Sequence, residues 1–112
     1  WVKGKSGDTF GPTGPYLVTK EAIDDINNLN LTTEVNGKKM QSGNTKNMIF
    51  NTYFILSYLS KFMSLQPGDL VTTGTPAGVG MGTKPQIFLK NGDKIRIAID
   101  NLGEQNSKLI LQ

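Results

Sequence analysis

The sequence predicts a mainly β chain with one principal α-helix. Three observations carry that class. Asn36-Gly37 separates Leu31–Val35 from Lys38–Gln41, and Asn-Gly favours the hairpin turn whose hand matches strand twist. Lys94-Ile95-Arg96-Ile97-Ala98-Ile99 alternates polar and apolar residues, which is the period of a half-buried strand. Only Met48–Met63 gathers apolar residues at helical spacing, with Ile55, Leu59 and Phe62 at i, i+4 and i+7.

Taken in order, residues 1–15 are rich in glycine and proline without a period, and read as loop. Lys5 stands in that loop, where its ammonium could meet an anion. Tyr16–Thr19 is a short strand candidate. Lys20–Leu29 is polar, and the adjacent Asp24 and Asp25 read as solvated carboxylates. In the hairpin, Leu31, Thr33 and Val35 share one face, and Thr32 and Glu34 the other. The helix is expected from about Thr52 to Met63 after an extended lead-in, Met48–Phe50. Asn51 would cap it, Lys61 would complement the C-terminal dipole, and its aromatic residues are expected in the core. Beyond the turn Gln66–Asp69 lies an apolar pair, Leu70-Val71. Pro85–Lys90 reads as extended, Asn91–Asp93 as a turn, and Ile95, Ile97 and Ile99 as the buried face of the next strand. Asn101–Gly103 turns again, and Asn106–Leu111 is the last expected strand.

Composition excludes several chemistries. The 112 residues amount to one domain or part of one, with 37% hydrophobic residues. The net charge of +3 is spread thinly, unlike the clustered charge of nucleic-acid binders. Without cysteine there is no disulfide framework and no thiolate metal site. Without histidine, neither a Ser-His-Asp nor a Cys-His mechanism can be assembled from this chain. No apolar run reaches the length of a membrane helix, and residues 1–15 lack a signal-peptide pattern, so the expected location is the cytoplasm, with no membrane partner.

The stretch with most chemical promise is Thr73-Gly74-Thr75-Pro76-Ala77-Gly78-Val79-Gly80-Met81-Gly82. Glycine at this density bends the backbone and lets it approach a ligand, while threonine hydroxyls and exposed N–H groups supply donors for an anion. A tight connection would use the same composition. A phosphate-loop reading fails, because Gly4-Lys5-Ser6 has only three residues ahead of it and Lys84 is followed by Pro85. A dinucleotide-binding reading fails on the even spacing of Gly78, Gly80 and Gly82.

Several segments together resemble the fumarylacetoacetate hydrolase family. They are Gly4-Lys5-Ser6-Gly7-Asp8-Thr9-Phe10-Gly11-Pro12 with Gly14-Pro15, Val35-Asn36-Gly37 with Gln41, Thr45 with Met48-Ile49-Phe50, Ser60, Leu65, Pro67-Gly68-Asp69, and the glycine-rich stretch from Thr73 to Gly80. The pattern from Gly80 to Asp93 is similar to the ureidoglycolate lyase-like and diketo-sugar-acid hydrolase-like branch. The resemblance implies a mixed β-roll, a homodimer, and a divalent cation, Mg²⁺ or Mn²⁺ and in some members Ca²⁺. It implies small-molecule substrates that are oxo or diketo acids, cleaved at a C–C bond through a metal-stabilised enolate. Isomerase, tautomerase and decarboxylase activities occur in the same family.

By resemblance, Lys5 is the catalytic lysine beside the metal and Thr9 orders the metal's water shell. Thr75 donates to a substrate oxygen, and Gly4 and Gly74 let the backbone come close. The family's metal-binding Glu-x-Glu and Asp have no counterpart here. They are expected upstream of Trp1, so residues 1–112 are expected to be the C-terminal portion of one catalytic domain, holding no first metal shell. Such a portion would bind Mg²⁺ or Mn²⁺ weakly at most and be marginally stable by itself. A noncatalytic fragment is the alternative.

Overall fold

In the computed structural model, residues 2–110 are described. Two antiparallel hairpins lie side by side: β1 (Asn30–Val35) with β2 (Lys38–Asn44), and β3 (Lys94–Ile99) with β4 (Gly103–Lys108). β1 and β3 pair antiparallel, which gives one four-stranded sheet of order β2-β1-β3-β4. The first turn holds Asn36 at φ 50° and Gly37 at φ 78°, the pair of left-handed residues that an Asn-Gly hairpin supplies. Opposite Thr33 and Glu34 the register slips. Gln41 pairs with Thr33 and Lys39 with Glu34, leaving Met40 as an extra residue in β2. This is a β-bulge, and it re-aims both backbone and side chains locally.

The principal helix, α2 (Thr52–Leu59), starts where Asn51 Oδ1 accepts a 2.8 Å hydrogen bond from the Phe54 amide. It ends earlier than the spacing predicted. Beyond Leu59 the chain tightens into a further turn, with the Phe62 amide donating to the Leu59 carbonyl at 2.9 Å. Phe50, Phe54, Tyr58 and Phe62 follow one another at i+4. Their rings form a ladder with centroids 4.8, 6.2 and 5.0 Å apart. The aromatics are not core residues in the described chain, since Phe54 is 50% exposed and Phe62 69%. The rings cover one another instead.

Four other expectations need correcting. Val2–Lys5 forms one helical turn, α1, within the expected loop. Tyr16–Thr19 joins no strand; it lies along β3 and β4, where Gln105 Nε2 donates to the Gly14 carbonyl at 2.7 Å. The last strand begins at Gly103 rather than Asn106, because the turn after Ile99 is tight and Gly103, at φ 77°, already pairs with Ile99. Its expected end, Leu111, falls outside the described residues. Ile97 is 37% exposed and Ile95 and Ile99 are half-buried, so that sheet face is only partly covered. Ile23 and Leu29 are the buried hydrophobic residues among those described. No described helix is long and apolar enough to cross a membrane.

Asn36 and Asp93 tie the two hairpins together. Asn36 Nδ2 donates to Asp93 Oδ1 at 2.9 Å, the Lys94 amide donates to Asn36 Oδ1 at 2.9 Å, and the Lys90 amide donates to Asp93 Oδ2 at 2.7 Å. The Asn36 side chain, followed by the Lys90 amide, holds the Asp93 carboxyl below its ordinary range. A depressed carboxylate stabilises the fold fully above its unfolded pKa, and that contribution is lost as pH falls through the folded value. Asp93→Asn is therefore expected to flatten the acid limb of stability against pH below about 3.9, the ordinary aspartate value. Urea melts between pH 2 and pH 6 check this, and an unchanged acid limb would contradict it.

Candidate active-site loop

The stretch Thr73–Gly82 is laid along β2, and its glycines dictate how. A side chain on Gly78, at φ +109°, would collide with the Met40 carbonyl, the one offered by the bulge. The loop can approach β2 there only because Gly78 carries no Cβ. Close by, a Cβ on Gly43 would lie 2.8 Å from Pro76 Cβ, so strand and loop fit against each other at a second point. The far end closes on itself. The Gly82 amide donates to the Val79 carbonyl at 2.8 Å and the Ile87 amide to the Gly80 carbonyl at 3.0 Å. A Cβ on Gly80 would strike the Ile87 carbonyl.

Just ahead of these anchors Thr75 stands exposed. The half-buried Gln41 reaches it from β2: Gln41 Nε2 lies 2.8 Å from Thr75 Oγ1 and 2.8 Å from the Pro76 carbonyl. Gly74 needs its glycine for conformation, at φ +108°, and the space where its Cβ would be is open for 4 Å. The surface beside Thr75 is thus bare backbone, which suits the approach of a ligand.

Lys5 ends the α1 turn, exposed, and among the described residues its ammonium has no ion-pair partner. A Cβ on Gly4 would meet nothing within 4 Å, so packing does not call for glycine there. Thr9 is in the left-handed region at φ 66°, in a turn closed by the Phe10 amide donating to the Gly7 carbonyl at 3.1 Å. A β-branched residue at such an angle is strained, and strain of this kind gathers at functional positions. Downstream of Thr9, residues 12–18 are anchored on β4, whereas the Thr75 loop is anchored on β2 at the other edge. The apolar face of the sheet carries a groove lined from the first of these lines and from Val71, with Lys5, Thr9 and Thr75 outside its lining. There Tyr16, Val18, Val71, Ile97 and Gln105 line an open groove of about 510 Å³.

Several acidic residues serve the fold. Asp69 accepts from the Gln66 amide at 2.7 Å, within the expected turn. Asp100 accepts from the Asn30 amide at 3.0 Å and from its Nδ2 at 2.8 Å. Glu104 and Glu34 flank Arg96, and the Arg96 hydrogen bond holds the Glu104 carboxyl below its ordinary range. Among the described residues no three acidic side chains gather as a hard divalent cation requires, so this donor set does not fit a metal centre. Sequence reasoning gave Gln41 no role. Its side-chain amide becomes informative only once the bulge brings β2 to the loop.

The same architecture occurs in solved structures of known proteins. The structure of a fumarylacetoacetate hydrolase from the psychrophile Exiguobacterium antarcticum superposes with a TM-score of 0.94 at 42% identity, over 98% of this chain and 39% of that one. Maleylpyruvate hydrolase from Sphingobium sp. SYK-6, crystallised with manganese(II) and pyruvate, superposes with a TM-score of 0.84 at 37% identity, over 92% of this chain and 36% of that one. A Burkholderia cenocepacia protein, named only provisionally as a hydrolase, is 54% identical over 94% of this chain and 38% of its own length. The family described as fumarylacetoacetate (FAA) hydrolase C-terminal matches residues 1–110, and the chain belongs to it. The 112 residues span about 38% of the length of the curated relatives they match.

Proposed function

We propose that the protein carrying this chain is a metal-dependent hydrolase or lyase that cleaves C–C bonds in oxo or diketo acids, acting as a homodimer. The observation that carries the reading is Thr75. Its hydroxyl is exposed on a clamped loop beside bare backbone, in a chain that belongs to this family. Pyruvate bound with manganese(II) in the maleylpyruvate hydrolase relative supports both the substrate class and the use of a divalent cation. The described residues do not fit that cation, so its carboxylates would come from sequence beyond them. Within the chain, Thr75 would donate to a carboxylate or oxo oxygen and Lys5 would face the negative charge that develops on the substrate. Thr9 would order water, and Gly4 and Gly74 would let the substrate come against the backbone.

The test is steady-state kinetics of the protein with its natural flanking sequence and added Mg²⁺ or Mn²⁺. Oxaloacetate, acylpyruvates and diketo sugar acids form the panel. Thr75→Val is expected to raise KM on the best substrate by an amount equivalent to about 1–3 kcal/mol, the cost of one lost hydrogen bond. Isomerised product without cleavage, or decarboxylation alone, would replace the cleavage assignment. No turnover across the panel would overturn the reading.

A further inference from the structure

We infer that Gln41 is a positioning residue that fixes the direction of the Thr75 hydroxyl. The proton balance follows from the partners. The Pro76 carbonyl can only accept, so the Gln41 group 2.8 Å from it is the NH₂. The same nitrogen lies 2.8 Å from Thr75 Oγ1, so it donates its second hydrogen there and Oγ1 accepts. The Thr75 hydroxyl hydrogen must then point elsewhere, and among the described residues it meets no acceptor. Gln41 is half-buried beneath the loop while Thr75 is exposed, so the free hydrogen is directed outward, where an oxyanion or oxo oxygen could take it.

The bulge makes this arrangement rigid. Met40, the extra residue, seats Gly78 on its carbonyl, and its neighbour Gln41 grips Thr75 and Pro76. One irregularity in β2 therefore holds the loop from two adjacent residues, and the second of them sets the polarity of the Thr75 hydroxyl. An alcohol left unpaired would share its hydrogen among several directions. Accepting from Gln41, it presents a ready donor.

The inference rests on Thr75 being a substrate donor, and a double-mutant cycle separates the two claims. Gln41→Met preserves length and shape but removes both hydrogen bonds. It is expected to raise KM several-fold, up to roughly tenfold, with kcat within about twofold. In a Thr75→Val background the same change should add nothing further, because the hydroxyl it orients is gone. Gln41→Glu replaces the donor by an acceptor, turning the Thr75 hydrogen inward, and should raise KM at least as far as Thr75→Val. Thermal melts of each variant identify any that fail to fold, and those are replaced in the cycle by Gln41→Asn, which keeps the amide but shortens its reach. If Thr75→Val raises KM while Gln41→Met is silent, or adds in full to Thr75→Val, the positioning role is wrong and the function stands. If Thr75→Val itself leaves KM unchanged, the assignment of Thr75 falls, and the role of Gln41 with it. Calorimetric titration with pyruvate runs the same cycle on binding alone, with the same outcomes read as changes in Kd.

Discussion

Lys5→Met is expected to lower turnover by about a hundredfold or more on the best oxo-acid substrate, in line with the loss of one preorganised charge or donor. Methionine keeps the length and much of the apolar stem while removing the ammonium. Lys5 is exposed at the end of a single helical turn, so the change takes no packing contact from the core. Its effect should therefore fall on rate, not stability. Charge matters most as the substrate becomes an anion in a site shielded from water, so kcat should drop more than KM rises. Metal affinity should change far less, since carboxylates would supply those bonds. Kinetics with a parallel metal titration and a thermal melt separate the three quantities. A variant with near-normal kcat would remove Lys5 from the mechanism.

Gly78→Ala is the second large effect, and it acts through structure. A left-handed backbone costs a non-glycine residue about 1–2 kcal/mol. Here the added methyl would also be driven into the Met40 carbonyl, which belongs to a strand paired on its other side. The loop must lift from β2, taking the Gln41 contacts with it, and the combined loss should be about 3 kcal/mol. Gly92→Ala is the control. It has a similar angle, φ +89°, with open space around the would-be Cβ, so only the conformational part of the loss should appear. Urea denaturation of the pair gives the difference, and equal losses would show that the collision relaxes at no cost. Gly78→Ala should also shift the Thr75 and Gln41 resonances in NMR spectra, whereas Gly92→Ala should leave them in place.

Local signals were legible where the chain interacts with itself over a few residues. Asn36-Gly37 named its own turn, Asn51 its own cap, and the alternation from Lys94 to Ile99 its own strand. What was not legible depends on distant partners. The bulge at Met40 has no signature in the sequence, because it exists to meet Gly78, thirty-eight residues on, and the glycine alone could equally have marked a simple bend. Pro85–Lys90 has the composition of a strand but pairs with none, since pairing depends on an available edge rather than on propensity. The helix stripe predicted burial for Phe62, yet burial needs something to lie against. The resemblance names a set of residues for the site; that Gln41 grips Thr75 is not among what it names, because a hydrogen bond between strand and loop leaves no periodicity.

The sheet order also sets which contacts of the chain are local and which are distant. β1–β2 and β3–β4 are local hairpins that can form early, within microseconds. The central pair, β1 with β3, joins residues sixty to sixty-eight positions apart, and the Asn36–Asp93 bond beside it spans 57. Closing that span costs entropy before any contact repays it. The excursion it closes contains α2 and the whole glycine-rich loop. The loop's resting place is on β2, the strand of the first hairpin that faces away from β3. The β1–β3 seam is the longest-range pairing of the described sheet, so a sequence change there bears on the contact with the largest closure cost without touching the Thr73–Gly82 loop.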